Sequence, residues 1–187
     1  MAGTSPKGHR HEVRLIGGRW KRSKLPVADF PGLRPTPDRV RETLFNWLGQ
    51  DLSGWRCLDA FAGSGALGLE AASRGARNVW LVERDPVLAA SLRSVVQRLK
   101  ADSVEVVCDD ALSVMRRGPP GAYDLVLLDP PYGSGLVESA LASATALVET
   151  GGYAYAEDSR MLSAPAGWSI IRQGRAGAVF FHLLRRD

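Results

Sequence analysis

The sequence predicts an α/β fold: a Rossmann-like, mostly parallel sheet with helices on both faces, preceded by a basic N-terminal extension. Three observations carry this. From Trp55 onward, short apolar runs alternate with helical stretches, the pattern of strands buried on both faces and joined by helical crossovers. A glycine-rich turn containing Gly63, Gly65 and Gly68 joins the first of those runs to a helix, where such folds hold nucleotide-like ligands. The charge is uneven: residues 1–41 hold ten of the 24 Lys and Arg but three of the 20 Asp and Glu, a net +7, and the remainder is −3.

Residues 1–11 are polar and contain Gly and Pro, and are expected to form a disordered tail. Residues 12–35 form the basic extension. Within it, Val13 to Val27 reads as two short extended pieces around Gly17 and Gly18, a basic hairpin, and 30–35 as a loop. The main domain spans 36–187. Thr36 is a candidate N-cap, with Pro37 and Asp38 suited to a helix start. Val40, Leu44, Trp47 and Leu48 then make one apolar face, stopped by Gly49. Strands are expected at 57–61, 78–83, 104–108, 123–128 and 153–157, and helices at 66–74, 86–100, 111–116 and 136–149, the last closed by Gly151 and Gly152. The tail reads as two strands, 168–172 and 178–184, forming an antiparallel pair with one reversed strand at the sheet edge.

Hydrophobic residues at 45% and charged residues at 24% are ordinary for a soluble globular protein. No apolar run approaches the roughly 20 residues of a membrane span, and the N-terminus lacks an apolar signal region, so a cytoplasmic protein is expected. Cys57 and Cys108 lie in apolar runs without metal-type spacing; both are expected to be small core residues, and no metal is expected. The basic segment on a slightly acidic body suggests a polyanionic partner, or else a solvated tail.

Glycine in the 63–68 loop lets the backbone turn sharply and approach a ligand. Glu83 lies 20 residues after Gly63, at a strand end, where a carboxylate accepts from the hydroxyls of an adenosine ribose. Asp59 directly precedes the loop. It would repel the pyrophosphate of a dinucleotide but suits the ammonium of S-adenosylmethionine, a cationic donor whose product is S-adenosylhomocysteine. The alternative role for Asp59 is to accept from the loop's own amides. Phe61, Ser64 and Gly65 of the loop, Arg84 beside Glu83, and Asp110 with Ala111 complete the candidate cofactor set. Asp110 would accept from the adenine amino group or cap a helix, and Asp109 is its competitor.

Asp129-Pro130-Pro131-Tyr132 follows an apolar strand. An exocyclic base amine is a poor nucleophile because its lone pair is delocalised. The Asp129 carboxylate and the Pro130 carbonyl can accept its two hydrogens and make the nitrogen more tetrahedral, while Tyr132 offers a ring for stacking. Positioning and electrostatics would carry the rate of methyl transfer. Cytosine C5 chemistry needs a nucleophilic cysteine, and neither cysteine lies near this loop.

With these residues in view, the chain resembles the RsmD-type 16S rRNA guanine-N2 methyltransferases. The resemblance rests on Arg14 to Trp20, Arg34 to Leu48, Leu58 to Glu70 and Asp129 to Tyr132. It implies a seven-stranded class I S-adenosylmethionine-dependent methyltransferase sheet and a monomer. The implied substrate is one guanine of 16S rRNA, within an assembled small ribosomal subunit or free. It also implies that Arg34, Thr36, Arg39 and Glu42 border the pocket, with Thr36 on the methionyl carboxylate. The target base must be unpaired or flipped out. Arg19, Lys21, Arg22, Lys24, Arg34 and Arg39 are the candidates for RNA contact, with Trp20 as a stacking or core residue. Three alternatives stay open: an amino methyltransferase acting on adenine N6 or another amine in DNA or RNA, an NAD-dependent oxidoreductase, and a non-catalytic RNA-binding or ribosome-assembly factor.

Overall fold

A computed structural model describes residues 12–27 and 36–187. The tail at 1–11, the loop at 30–35 and Arg34 lie outside the described residues. Nine strands and five helices follow in chain order: β1 Glu12–Arg14, β2 Lys24–Pro26, α1 Asp38–Leu48, β3 Arg56–Asp59, α2 Ala66–Ser73, β4 Asn78–Glu83, α3 Pro86–Leu99, β5 Val104–Cys108, α4 Ala111–Arg117, β6 Tyr123–Leu128, α5 Val137–Leu147, β7 Val148–Asp158, β8 Trp168–Ala176 and β9 Val179–Arg186.

Strands β3 to β9 form one sheet in the order β5-β4-β3-β6-β7-β9-β8. β3 to β7 pair in parallel. Leu125, Val126, Leu127 and Leu128 of β6 are all fully buried because each face of the strand is covered. Leu125 and Leu127 join the core with α1, α2 and α3, whereas Val126 and Leu128 join the one with α4 and α5. Truncating either leucine pair member to Ala would cost about 2–5 kcal/mol. The order of strands reverses between β3 and β6, the position at which open α/β sheets bind ligands beyond their C-terminal ends.

β1 and β2 form the expected antiparallel hairpin, with Val13 opposite Leu25. Val13, Leu15 and Leu25 are buried in the same core as α1 and α2, so the hairpin packs on the domain rather than standing off it. No helix is long and apolar enough to cross a membrane among the described residues.

Four expectations are corrected. Helix α5 stops at Leu147, and Gly151 and Gly152 lie inside β7 rather than ending the helix. Val148 already pairs with Tyr123, and the register shifts before Leu125 pairs with Tyr153, so the glycines absorb a bulge. The reversed strand is β9, one place in from the edge; β8 is the edge strand and runs with β7. The segment 159–167 carries the chain back along the sheet, since an extended run of that length reaches about 30 Å and needs no helix. Thr36 does not cap α1: Pro37 takes the cap position without a side-chain bond, and the Thr36 hydroxyl turns elsewhere. Cys57 is buried as expected, but Cys108 is exposed, at the end of edge strand β5.

Candidate active site

The turn after β3 is pressed against the core. Gly63 and Gly65 have φ of 53° and 79°. A Cβ at Gly65 would stand 2.7 Å from Leu92 Cδ2, and one at Gly68 would stand 2.2 Å from Leu81 Cδ2. Only glycine allows the loop this close to α3 and β4. α2 then starts without a side-chain cap. Ser64 and Ala111 are buried beside this edge, Phe61 is half-buried and Arg84 is exposed.

Acids gather at the C-terminal ends of adjacent strands. Asp59 closes β3 and is buried; its Oδ2 accepts from the Gly68 amide at 2.9 Å, and its Oδ1 has no hydrogen-bond partner. Burial pushes its carboxyl up to about 7, with Glu83 adding repulsion, against the pull of the Gly68 and Phe61 amides. Both roles foreseen for Asp59 are therefore available at once: one oxygen ties the loop and the other waits for a donor. Glu83 closes β4 and accepts from the Gly63 amide at 2.9 Å through Oε2 and the Asp85 amide at 2.8 Å through Oε1. Each of its oxygens keeps a second lone pair for a further donor. Asp110 caps α4, its Oδ1 accepting from the Ser113 amide at 2.9 Å, which holds its carboxyl below the usual range. Asp109 is tied to Arg117, which likewise holds it low.

Asp129 directly follows β6. Its Oδ2 lies 3.2 Å from the Thr36 hydroxyl, which is also 2.9 Å from Glu157 Oε1. The Tyr155 hydroxyl donates to the same Glu157 oxygen at 2.8 Å. Thr36 is 4% exposed, Glu157 8%, and Tyr155 is fully buried. Burial, then the Glu157 charge, raises the Asp129 carboxyl well above its ordinary value, and burial raises Glu157 as well. The Pro131 carbonyl accepts from the Ser134 amide at 3.0 Å, whereas the buried Pro130 carbonyl accepts from no group among the described residues. Tyr132 is 66% exposed, its ring open to solvent.

The structure thus brings Asp59, Glu83, Asp129 and the glycine loop to one sheet edge, with Asp110 beside them at the end of β5. Thr36 joins them, but its hydroxyl faces two acids, where a methionyl carboxylate would be repelled. A dinucleotide pyrophosphate would meet the same repulsion from Asp59 and Glu83. Sequence reasoning missed Glu157 and Tyr155. The available signal was an acid closing the apolar strand next to the one that presents Asp129.

The basic hairpin sits elsewhere. The Arg19 amide donates to the Ser73 carbonyl at 2.7 Å and the Trp20 amide to Ser73 Oγ at 2.9 Å. These contacts place Arg19, Lys21 and Arg22 by the C-terminal end of α2, a helix length, roughly 12 Å, from the glycine loop. Lys24 is paired with Glu12 at 2.8 Å. Trp20 packs against the core, and Arg39 is exposed in the first turn of α1, three residues after Thr36. A second feature missed in the sequence anchors the hairpin: buried Glu70 accepts from the Ile16 and Gly17 amides at 2.9 and 2.7 Å, from Arg41 Nη1 at 3.2 Å and from Arg74 Nε at 3.0 Å. Buried Arg41 also donates to the Arg14 carbonyl at 2.8 Å and to the Thr36 carbonyl at 3.3 Å. A lone charge in the apolar helix Ala66–Ser73 was the signal for Glu70. A separate cavity of about 700 Å³, beside Trp80, Val114 and Tyr123, lies on the α4 face and shares no residue with the acidic edge.

With this geometry in place, comparison with known proteins is informative. The chain matches the family described as Conserved hypothetical protein 95 over residues 13–185. It is 42% identical over 186 residues to the ribosomal RNA small subunit methyltransferase D of Escherichia coli (strain K12), covering 94% of this chain and 91% of the relative. To the Haemophilus influenzae protein of the same name it is 39% identical over 183 residues, covering 92% and 93%. The solved structure of the Escherichia coli protein yhhF shares the fold with a TM-score of 0.85 at 42% identity, over 95% of this chain and 99% of that one.

Proposed function

Because the chain belongs to the family of the ribosomal RNA small subunit methyltransferase D proteins, we propose that it transfers a methyl group from S-adenosylmethionine to the exocyclic N2 amine of a guanine in 16S rRNA. The observation that carries this reading is the placement of Asp129 at the strand edge where the glycine loop lies, followed directly by a Pro130 carbonyl with no donor among the described residues. Two acceptors side by side suit the two hydrogens of an amino group.

The residues fit the donor. The orphaned Asp59 Oδ1 suits the methionyl ammonium, Glu83 the ribose hydroxyls and Asp110 the adenine amino group, with Phe61, Gly63, Ser64, Gly65, Arg84 and Ala111 lining the site. When bound, S-adenosylmethionine supplies an electrophilic methyl group on a positive sulfur. Asp129 and Pro130 accept from the target amine and draw its hydrogens out of the ring plane, so that the nitrogen lone pair faces the methyl carbon. Pro130 and Pro131 stiffen the loop that holds this geometry. The ring of Tyr132 stacks on the base. Arg39 flanks the approach, Arg19, Lys21, Arg22 and Lys24 meet backbone farther along the RNA, and Arg34 adds a further positive charge for the RNA. The enzyme acts in the cytoplasm as a monomer, on rRNA free or within the small subunit.

Methyl-acceptor assays on rRNA, small subunits and duplex DNA, with mass-spectrometric mapping of the product, test this. Labelling of a guanine N2 in small-subunit rRNA is expected, and labelling confined to DNA adenine would sink the substrate. Asp129→Ala should lower methyl transfer about 10³-fold, ~4 kcal/mol, while RNA affinity holds; retained activity would remove Asp129 from the reaction.

A further inference from the structure

The Thr36 hydroxyl stands between two acids from different strands, 3.2 Å from Asp129 Oδ2 and 2.9 Å from Glu157 Oε1. A hydroxyl owns one hydrogen. It can donate to one acid only, so both contacts are hydrogen bonds only when the other acid carries a proton and donates to the Thr36 oxygen. The pair therefore stores one proton, and turning the hydroxyl round moves that proton between them.

With the site otherwise empty the proton belongs on Asp129. Glu157 already receives the Tyr155 hydroxyl at 2.8 Å, so its charge has two donors where that of Asp129 would have one. The charged and titratable groups facing Asp129 are Asp59 from β3, Glu157 and Tyr155 from β7, with the Thr36 hydroxyl before α1. None is a cation. Arg41 of α1 reaches the carbonyl of Thr36, and β9 sets Phe181 opposite Glu157. A protonated Asp129 offers a hydrogen to its neighbours and is the wrong partner for an amine.

We propose that Glu157 is a positioning residue that turns Asp129 into an acceptor: the Thr36 hydroxyl passes the Asp129 proton to Glu157 when a cationic methyl donor lies beside Asp129, and returns it when the neutral product is left. This rests on the methyltransferase reading above. The Asp129 O–H bond breaks as a new Thr36 O–H forms, and the old Thr36 O–H breaks as Glu157 O–H forms, with no net charge change. The amine is then held in reactive geometry only while the donor is present. After transfer, the proton lost by the methylated nitrogen goes to the Asp129 carboxylate and leaves to solvent with the product.

Infrared difference spectroscopy of the full chain, without RNA and at pH 8, reads this directly. The free protein should show a carboxylic-acid band that Asp129→Asn removes. S-adenosylmethionine should move that band to a position that Glu157→Gln removes, and S-adenosylhomocysteine should leave it in place. The wild-type comparison of the two ligands needs no variant to fold. In kinetics, Glu157→Gln removes the negative neighbour that holds a proton on Asp129, so the acid limb of methyl transfer should move down by about one pH unit, at unchanged melting temperature. Thr36→Val should lower kcat at least tenfold, and Thr36→Ser should restore it. A band that S-adenosylmethionine leaves unmoved, or an acid limb of Glu157→Gln that coincides with wild type, overturns the switch while leaving the methyltransferase reading intact. Failure to bind S-adenosylmethionine at all overturns both.

Discussion

Two groups of carboxylates, buried except for half-buried Asp129, lie toward opposite ends of α2, and they are treated differently. At the C-terminal end, Glu70 meets two guanidinium groups and two backbone amides, so every acceptor direction is filled from within the chain. At the N-terminal end, Asp59, Asp129 and Glu157 meet hydroxyls and backbone amides but no cation among the described residues, and one Asp59 oxygen has no hydrogen-bond partner among them. Burying a charge without a partner is costly, and an uncompensated group raises its pKa instead. The first cluster is finished as structure. Under the proposed function the second is completed by a positive ligand, which would account for the cost retained there.

This contrast can be broken at either end. The largest effect is expected from Glu70→Ala, which removes the buried one of the two carboxylates that Arg41 meets, leaves it only the exposed Asp38, and frees the hairpin amides. It should cost on the order of 3–5 kcal/mol in denaturant unfolding, and a loss below about 1 kcal/mol would show that the hairpin is anchored by apolar packing alone. Asp59→Asn should act in the opposite sense. The folded-state pKa of Asp59 is raised from 3.8 to about 7, so the folded protein holds a proton that the unfolded chain has released between those values. That stabilising difference is lost as pH rises through 7. The neutral amide should therefore stabilise the fold more at pH 8 than at pH 5, by about 1–3 kcal/mol, while weakening S-adenosylmethionine binding. Equal stabilisation at both pH values would place its origin outside ionisation. The smallest effect belongs to the hairpin tip: replacing Arg19, Lys21 and Arg22 by Ala should reduce the slope of log K against log salt for rRNA binding by up to about 2, with kcat retained. An unchanged slope would mean that these cations serve only the C-terminal end of α2.

Much of the architecture was legible along the chain. Strands β4, β5 and β6 fall on the expected residues, because apolar runs between turn signals report strands buried on both faces. The glycine loop and the Asp129 segment are likewise local patterns of consecutive residues, and the structure places both at the C-terminal ends of adjacent strands. The end of α5 was misread because Gly151 and Gly152 look like a helix stop, and only pairing with β6 makes them a strand bulge. Thr36 was read as a cap because Thr before Pro and Asp is a local helix signal. Its hydroxyl instead bonds to groups 93 and 121 residues away, which no window of sequence contains.

Local order in the chain therefore determined the class of fold, the glycine loop proposed to meet an adenosine ligand, and the acid and prolines proposed to meet an amine. These depend on backbone geometry and side-chain chemistry within a few residues. The tertiary structure alone decided that Thr36, Tyr155 and Glu157 surround Asp129, that Arg41 and Glu70 bind the hairpin to the core, and that β9 enters between β7 and β8. Those are pairings of distant segments, and burial gives them their force: the same carboxylates spread along an exposed chain would be solvated, and would carry no information about a partner.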